Sequence, residues 1–181
     1  MKTLTIFRHG KSGWDAPVSR DFDRPINERG VKGSRLMGEY ARKEGVAFDT
    51  VYCSPAVRCV ETLDAFWEGF GEILHPNWDK RVYLATGASL LEFLHDIDEP
   101  GDRMLMCGHN PGCEELSLML TPEDRSNALR EEMEEKFPTA SIAEISIPVD
   151  SWAEVQEGMG TLIRFIRPRD LDPSLGPAMD D

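Results

Sequence analysis

Apolar residues fall along the chain in two rhythms. Short, nearly continuous runs at Thr3–Phe7, Asp49–Cys53, Arg103–Cys107, Ser141–Ile147 and Thr161–Ile166 are mostly rich in Val, Ile and Leu, and they predict β-strands. Met104-Leu105-Met106-Cys107 is the least β-branched of these, yet it is apolar throughout and bounded by Gly101 and Gly108. Such continuity predicts strands covered on both faces. Between the runs, apolar residues recur at helical spacing. Pro55 suits a first helical turn, and Ala56, Val60, Leu63, Trp67 and Phe70 then share one face. Glu28–Lys43 is a second helix, with Leu36, Met37, Tyr40 and Ala41 inward and Gly45 as its stop. Ala88–Ile97 and Pro111–Leu120 are two more, and the acidic stretch Thr121–Lys136 predicts an exposed helix with a solvated face.

Strands alternating with helices predict an α/β fold, a three-layer α/β/α domain with a largely parallel central sheet. No repeat or linker divides the chain, so residues 1–167 are expected to form a single domain. Residues 168–181 carry three prolines and four aspartates and are expected to be a poorly ordered acidic tail.

Composition narrows the function. The 181 residues include 20 basic and 33 acidic side chains, a formal net charge of −13, which argues against nucleic acid or an anionic membrane as partner. No apolar run approaches the ~18 residues of a membrane span. The N-terminus meets a charge too soon for a secretory signal, so a cytoplasmic protein is expected. Cys53, Cys59, Cys107 and Cys113 are too few for a disulfide framework and miss zinc-ribbon spacing; Cys53 and Cys107 are expected in the core.

In a parallel sheet, ligands bind beyond the carboxyl ends of the strands. There the chain places Arg8-His9-Gly10-Lys11-Ser12, Ser54-Pro55 with Arg58 one helical turn on, and Gly108-His109-Asn110-Pro111-Gly112. Two imidazoles and two guanidiniums thus converge on one crevice. Guanidinium forks match phosphate oxygens, and helix N-termini at the same edge add partial positive charge. This is an anion site in an acidic protein, and phosphate is its natural guest. Neutral imidazole is a competent nucleophile toward phosphorus, and a second, protonated one can stabilise the equatorial oxygens. His75 and His95 lie away from these motifs, and no metal-ligand spacing or P-loop accompanies them, so no metal or cofactor is expected.

With Arg8-His9-Gly10, Ser54-Pro55-x-x-Arg58-x-x-Glu61-Thr62 and Gly108-His109-Asn110-Pro111 in order at three strand ends, the chain resembles the histidine phosphatase superfamily, of phosphoglycerate mutase-like fold. Lys11-Ser12-x-Trp14-Asp15, Asp21-Phe22-Asp23-Arg24-Pro25-x-Asn27-x-Arg29-Gly30 and Phe137-Pro138-Thr139-Ala140 are similar to its small SixA-type phosphohistidine phosphatases. The resemblance implies that His9 is the nucleophile and that Arg8, Arg58 and His109 complete the phosphate pocket. It makes Ser12 a further phosphate contact. Arg24 and Asn27 are candidates either for shaping the mouth of the site or for ordering the turn into the next helix. Glu61 and Thr62 either join the site or fix the helix.

Many superfamily members carry a carboxylate proton donor after the third strand. Tyr83-Leu84-Ala85-Thr86-Gly87-Ala88 has none, and Glu92, the nearest acid, is assigned to solvent. This departure, together with the lack of a long inserted lid, favours a phosphohistidine-bearing protein as substrate, in a role in signalling or phosphotransfer. A phosphomonoesterase acting on small phosphorylated molecules shares the same pocket, and a non-catalytic phosphate-binding adaptor is the third reading.

Overall fold

A computed structural model of the chain describes residues 1–124 and 126–177. Six strands form one sheet: β1 (Lys2–Arg8), β2 (Thr50–Cys53), β3 (Asn77–Trp78), β4 (Arg103–Gly108), β5 (Ile142–Ile147) and β6 (Thr161–Ile166), in the order β3-β2-β4-β1-β5-β6. The pairs β2–β3, β2–β4 and β1–β4 are parallel, while β5 runs antiparallel to both of its neighbours. The expected strands are all present, shifted by a residue or two at their ends. The two-residue edge strand β3 was not foreseen, being too short to show a period.

Helices cover both faces. On one side lie α1 (Glu28–Lys43) and α2 (Val57–Phe70), on the other α3 (Gly87–Asp96), α4 (Gly112–Leu120) and α5 (Ala128–Glu135). Alternation along the strands assigns the side chains. Leu4, Ile6, Met104 and Met106 pack against Leu94, Leu116 and Leu120, whereas Phe7, Val51, Leu105 and Cys107 pack against Met37, Leu63 and Phe66. The sheet is therefore buried on both sides, as its continuous apolar runs require. Among the described residues no helix is long and apolar enough to cross a membrane.

Two expectations are corrected. The acidic stretch 121–136 holds a helix only over Ala128–Glu135, and that helix is anchored rather than solvated all round, because Met133 is fully buried in the core; residue 125 lies outside the described residues. The tail is folded through its described part. Pro168 is buried, the Asp170 carboxylate accepts from the backbone N–H and the guanidinium of Arg167 at the start of α6 (Pro168–Leu171), and a 3-10 turn follows at Pro173–Leu175. Asp172 accepts a 2.7 Å ion pair from Lys32 of α1, and Arg29 donates to the Gly176 carbonyl at 2.8 Å. Aspartates that read as solvating thus serve as caps and ion-pair partners. Residues 178–181 lie outside the described residues.

Candidate active site

The strands β2, β4 and β1 are neighbours, and their carboxyl ends are level: Arg8 stands opposite Gly108, and Cys53 opposite Cys107. The ladder continues one residue past each end, the His9 N–H donating to the Gly108 carbonyl and the Ser54 N–H to the Cys107 carbonyl, both at 3.0 Å. The polar residues following these strands are therefore held by backbone pairing. They open onto a cavity of about 330 Å³ lined by Arg8, His9, Ser12, Arg58 and His109, together with Lys11, Trp14, Asp21, Arg24, Leu84, Asn110 and Thr139. All five residues foreseen as phosphate contacts or catalytic groups are brought to it.

His9 is 8% exposed, and its Nδ1 lies 2.7 Å from the Gly10 carbonyl oxygen. A carbonyl only accepts, so Nδ1 carries the proton and Nε2 keeps its lone pair. Burial, reinforced by nearby positive charge from His109 and Arg8 and opposed by Cys59 and the Gly10 carbonyl, pushes the His9 pKa down to about 4. The ring is therefore neutral at pH 7, the form a nucleophile needs. The Gly10 N–H donates to Thr62 Oγ1 at 2.8 Å, which fastens the His9 loop to α2. A Cβ on Gly10 would come within 2.8 Å of both the Gly30 carbonyl oxygen and Ser34 Oγ, so only glycine fits this turn.

Around His9 the donors are incompletely satisfied. Arg8 Nη1 donates to the Phe137 carbonyl at 2.8 Å, and Arg58 gives Nη1 to the Asp21 carbonyl and Nη2 to Asp21 Oδ2 at 2.8 and 2.9 Å. His109 lies 5.3 Å from the His9 ring, with its Nε2 2.8 Å from Ser54 Oγ. Arg8 Nε, Arg58 Nε and His109 Nδ1 are buried with no partner among the described residues. Unpaired buried polar atoms are costly, and two guanidinium N–H groups with one imidazole nitrogen left open around one cavity are groups that an anion would satisfy. The first turn of α2, which no side chain caps, points positive partial charge toward the same edge.

The flanking candidates sort by their bonds. Ser12 Oγ donates to the Pro25 carbonyl at 2.7 Å and accepts from Arg24 Nη1 at 3.1 Å. Its single hydrogen is thus engaged in bracing the loop. Arg24 also stacks on Trp14, 3.8 Å from the ring centroid, at the cavity mouth. Asn27 does not line the cavity; its side chain caps α1 by accepting from the Gly30 N–H. Glu61 accepts from the Ile26 N–H at 3.1 Å, so Glu61 and Thr62 fasten loops to α2 rather than contact the cavity. Glu92 is exposed and away from the cavity.

Several residues were assigned no role in the sequence. Asp21 gathers Arg58, Arg24 and the Tyr83 hydroxyl, the last at 2.7 Å. Burial pushes its carboxyl upward, but the hydrogen bonds from Tyr83, Arg58 and Arg24 outweigh this and hold it at about 2. The Tyr83 ring meets the His109 ring edge-on at 5.3 Å, and the Cys59 thiol lies 3.5 Å from His109 Nε2. Asn110 Nδ2 shares the Phe137 carbonyl with Arg8. Asp21 stands in the Asp21–Gly30 motif, which was its only signal.

Comparisons with known proteins agree with this geometry. Residues 4–82 match the family described as Histidine phosphatase superfamily (branch 1). An uncharacterized protein of Mycobacterium tuberculosis is 31% identical over 163 residues, which span 90% of this chain and 99% of that one. The crystal structure of an Agrobacterium tumefaciens protein assigned as the phosphohistidine phosphatase SixA superposes with a TM-score of 0.73 at 26% identity, over 92% of this chain and 98% of that chain. The protein histidine phosphatase SixA complexed with tungstate superposes with a TM-score of 0.74 at 22% identity, over 94% and 99% of the two chains, which speaks to fold. A phosphoglycerate mutase-like α/β sheet, a neutral histidine beside unpartnered side-chain nitrogens at its strand ends, and these matches place the chain in the histidine phosphatase superfamily.

Proposed function

We propose that the protein is a phosphatase that removes phosphate from protein-borne phosphohistidine by way of a phosphorylated His9. The carrying observation is the pairing of a neutral His9, its Nδ1 committed to the Gly10 carbonyl, with the unpartnered Arg8 Nε, Arg58 Nε and His109 Nδ1 around the same cavity. In the first step His9 Nε2 attacks phosphorus, a new P–N bond forms, and the P–N bond to the substrate imidazole breaks. In the second, water attacks the phosphorus of phospho-His9 and inorganic phosphate leaves, returning the electron pair to Nε2. Arg8, Arg58 and His109 bind the equatorial oxygens, whose charge shifts in each transition state. Two guanidiniums supply the positive charge that a metal supplies elsewhere, and the His109 ring adds a hydrogen-bonding nitrogen beside them. Tungstate, bound by a structural relative, is an anion this cradle would suit.

The choice of substrate rests on proton supply. Among the described residues Asp21 is the one carboxylate lining the cavity, and its three hydrogen-bond donors keep it ionised. An alkoxide leaving group needs a proton, whereas imidazole, with a conjugate-acid pKa of ~6.5, departs neutral when its ring is protonated beforehand. A site lacking a protonated acid forgoes the ~10²–10⁴-fold of general acid catalysis on alkyl esters and loses little on phosphoramidates. The test is a substrate panel with His9→Ala as control. Turnover should rank phosphohistidine above aryl phosphate, and aryl phosphate well above phosphoserine or phosphoglycerate. Equal rates on phosphoglycerate and phosphohistidine would favour the small-molecule phosphomonoesterase. Binding of inorganic phosphate without any turnover would favour the adaptor.

A further inference from the structure

Beside the phosphate cavity lies a second cleft of about 290 Å³ whose lining includes Arg8, Lys11, Arg29, Lys136, Arg167 and Arg169. Among the described residues no acidic side chain lines this cleft. Arg167 is ion-paired, to Asp170 and Glu132 at 2.9 and 3.3 Å, and Arg29 donates to the backbone carbonyls of Ser174 and Gly176. Lys11, Lys136 and Arg169 form no ion pair among the described residues. Five cationic side chains with no carboxylate partner among the described residues, gathered in one cleft of a protein of net charge −13, repel one another unless something anionic covers them.

The cleft is continuous with the site, since Arg8, Lys11 and Thr139 line both. A molecule whose phosphoryl group sits at His9 therefore extends into it. We infer that this cleft docks a carboxylate-rich segment flanking the phosphohistidine of the substrate protein. The inference rests on the phosphohistidine reading above and names the kind of partner that reading requires.

The form of the cleft favours a peptide over a second phosphate. A phosphate pocket concentrates buried, planar guanidiniums on one point, as Arg8 and Arg58 do. Here the charges come from four separate stretches of the chain, at Lys11, Arg29, Lys136 and Arg167 with Arg169, and Lys11, Arg29 and Lys136 are exposed. Lysine ammonium groups are hydrated point charges on flexible stems, suited to several carboxylates at variable positions. Pro138, Pro168 and Leu175 supply an apolar floor for the stems of acidic side chains. Charge complementarity of this kind acts on encounter and KM more than on the chemical step, and it weakens with salt.

The experiment uses two phosphohistidine peptides, one flanked by Asp and Glu and one by Ser and Gln, with free phosphohistidine as a third substrate. Wild-type enzyme should show a KM at least tenfold lower for the acidic peptide at low salt, with similar kcat. Lys136→Glu combined with Arg169→Glu should erase that preference and leave turnover of free phosphohistidine unchanged. Lys136→Glu alone, at an exposed position, gives a second variant should the double change disturb folding. Separately, a labelled, unphosphorylated Asp/Glu-rich peptide should bind wild-type protein by fluorescence anisotropy, and rising salt should release it. Hydrolysis of both peptides with equal KM, insensitive to charge reversal, would overturn the docking inference while leaving the phosphohistidine reading intact. Absence of phosphohistidine turnover with retained peptide binding would overturn that reading and leave an acidic-peptide site. A DNA oligonucleotide of equal charge binding as tightly as the peptide would also overturn the inference, making the cleft a general polyanion surface.

Discussion

Asp21 grips Arg58 twice, through its backbone carbonyl at 2.8 Å and its Oδ2 at 2.9 Å, so an ionised carboxylate rather than solvent sets the direction of the guanidinium. The pair joins the loop before α1 to the first turn of α2, and it leaves Arg58 Nε as the unpaired donor. Asp21 is thus read as a positioning residue and not as a proton donor.

That distinction can be measured. Asp21→Ala frees the Arg58 side chain, and a displacement of about 1 Å costs on the order of 10²-fold in rate. The loss in kcat/KM should be similar for phosphohistidine and aryl phosphate. A loss confined to substrates with alkoxide leaving groups would show that Asp21 delivers a proton after all.

Arg58→Lys should behave much like Arg58→Ala, with kcat/KM lower by ~10²-fold or more, because an ammonium cannot hold Asp21 with two nitrogens and offer a third to phosphate. Arg8→Ala should lose a comparable factor. Recovery of near-normal rates by the lysine variant would remove Arg58 from the phosphate cradle.

Ser12→Ala separates a brace from a ligand. Losing the bonds to Pro25 and Arg24 should cost about 1 kcal/mol of stability, seen as a lowered Tm, with less than about a tenfold change in kcat/KM. A loss of ~10²-fold without a change in Tm would make Ser12 a direct phosphate contact.

The pH response follows from His9. Its folded pKa of about 4 lies below its ordinary value of 6.5, so between those limits the unfolded chain binds the extra proton. This group's contribution to stability is therefore constant above pH 6.5, falls as pH drops through the window, and levels out below about 4. An NMR titration of the His9 ring should show a midpoint near 4 in the folded protein. A midpoint near 6.5 would mean that the ring is solvated and only partly available as a nucleophile at neutral pH.

Leu84 offers a gain-of-function test. It lines the cavity from the segment after β3, and its φ of 49° already demands a left-handed backbone. Leu84→Glu places a carboxyl at the position where the chain lacks one. Alkyl phosphate hydrolysis should rise more than phosphohistidine hydrolysis, by some part of the ~10²–10⁴-fold available to a general acid. Equal changes on both substrates would show that proton supply does not set the preference.

Arg8, His9 and His109 were legible because Arg8 closes β1 and the two histidines follow β1 and β4 directly, and a strand end points wherever the sheet points. Arg58 was legible from its turn after Ser54-Pro55. Asp21 and Tyr83 were not, since their contacts join positions that are 37 and 62 residues apart and belong to irregular segments with no period to extrapolate. Ser12 was located correctly, but the partner of its hydroxyl depends on how Pro25 folds back, which spacing does not encode. The residues after 167 were misread for a compositional reason: Asp170 and Asp172 have the sequence character of a solvated tail, yet Arg167 and Lys32 stand opposite them.

The orientation of Arg8 depends on the carbonyl of Phe137, 129 residues further along the chain, and its strand is flanked by β4 and β5. During synthesis His9 therefore emerges first, but its surroundings cannot exist until the stretch through Phe137 has followed it. A ribosome-bound fragment ending before Phe137 carries the Arg-His-Gly signature with no oriented guanidinium beside it. Catalytic competence should accordingly appear late and abruptly during translation, as a readout of completed long-range pairing.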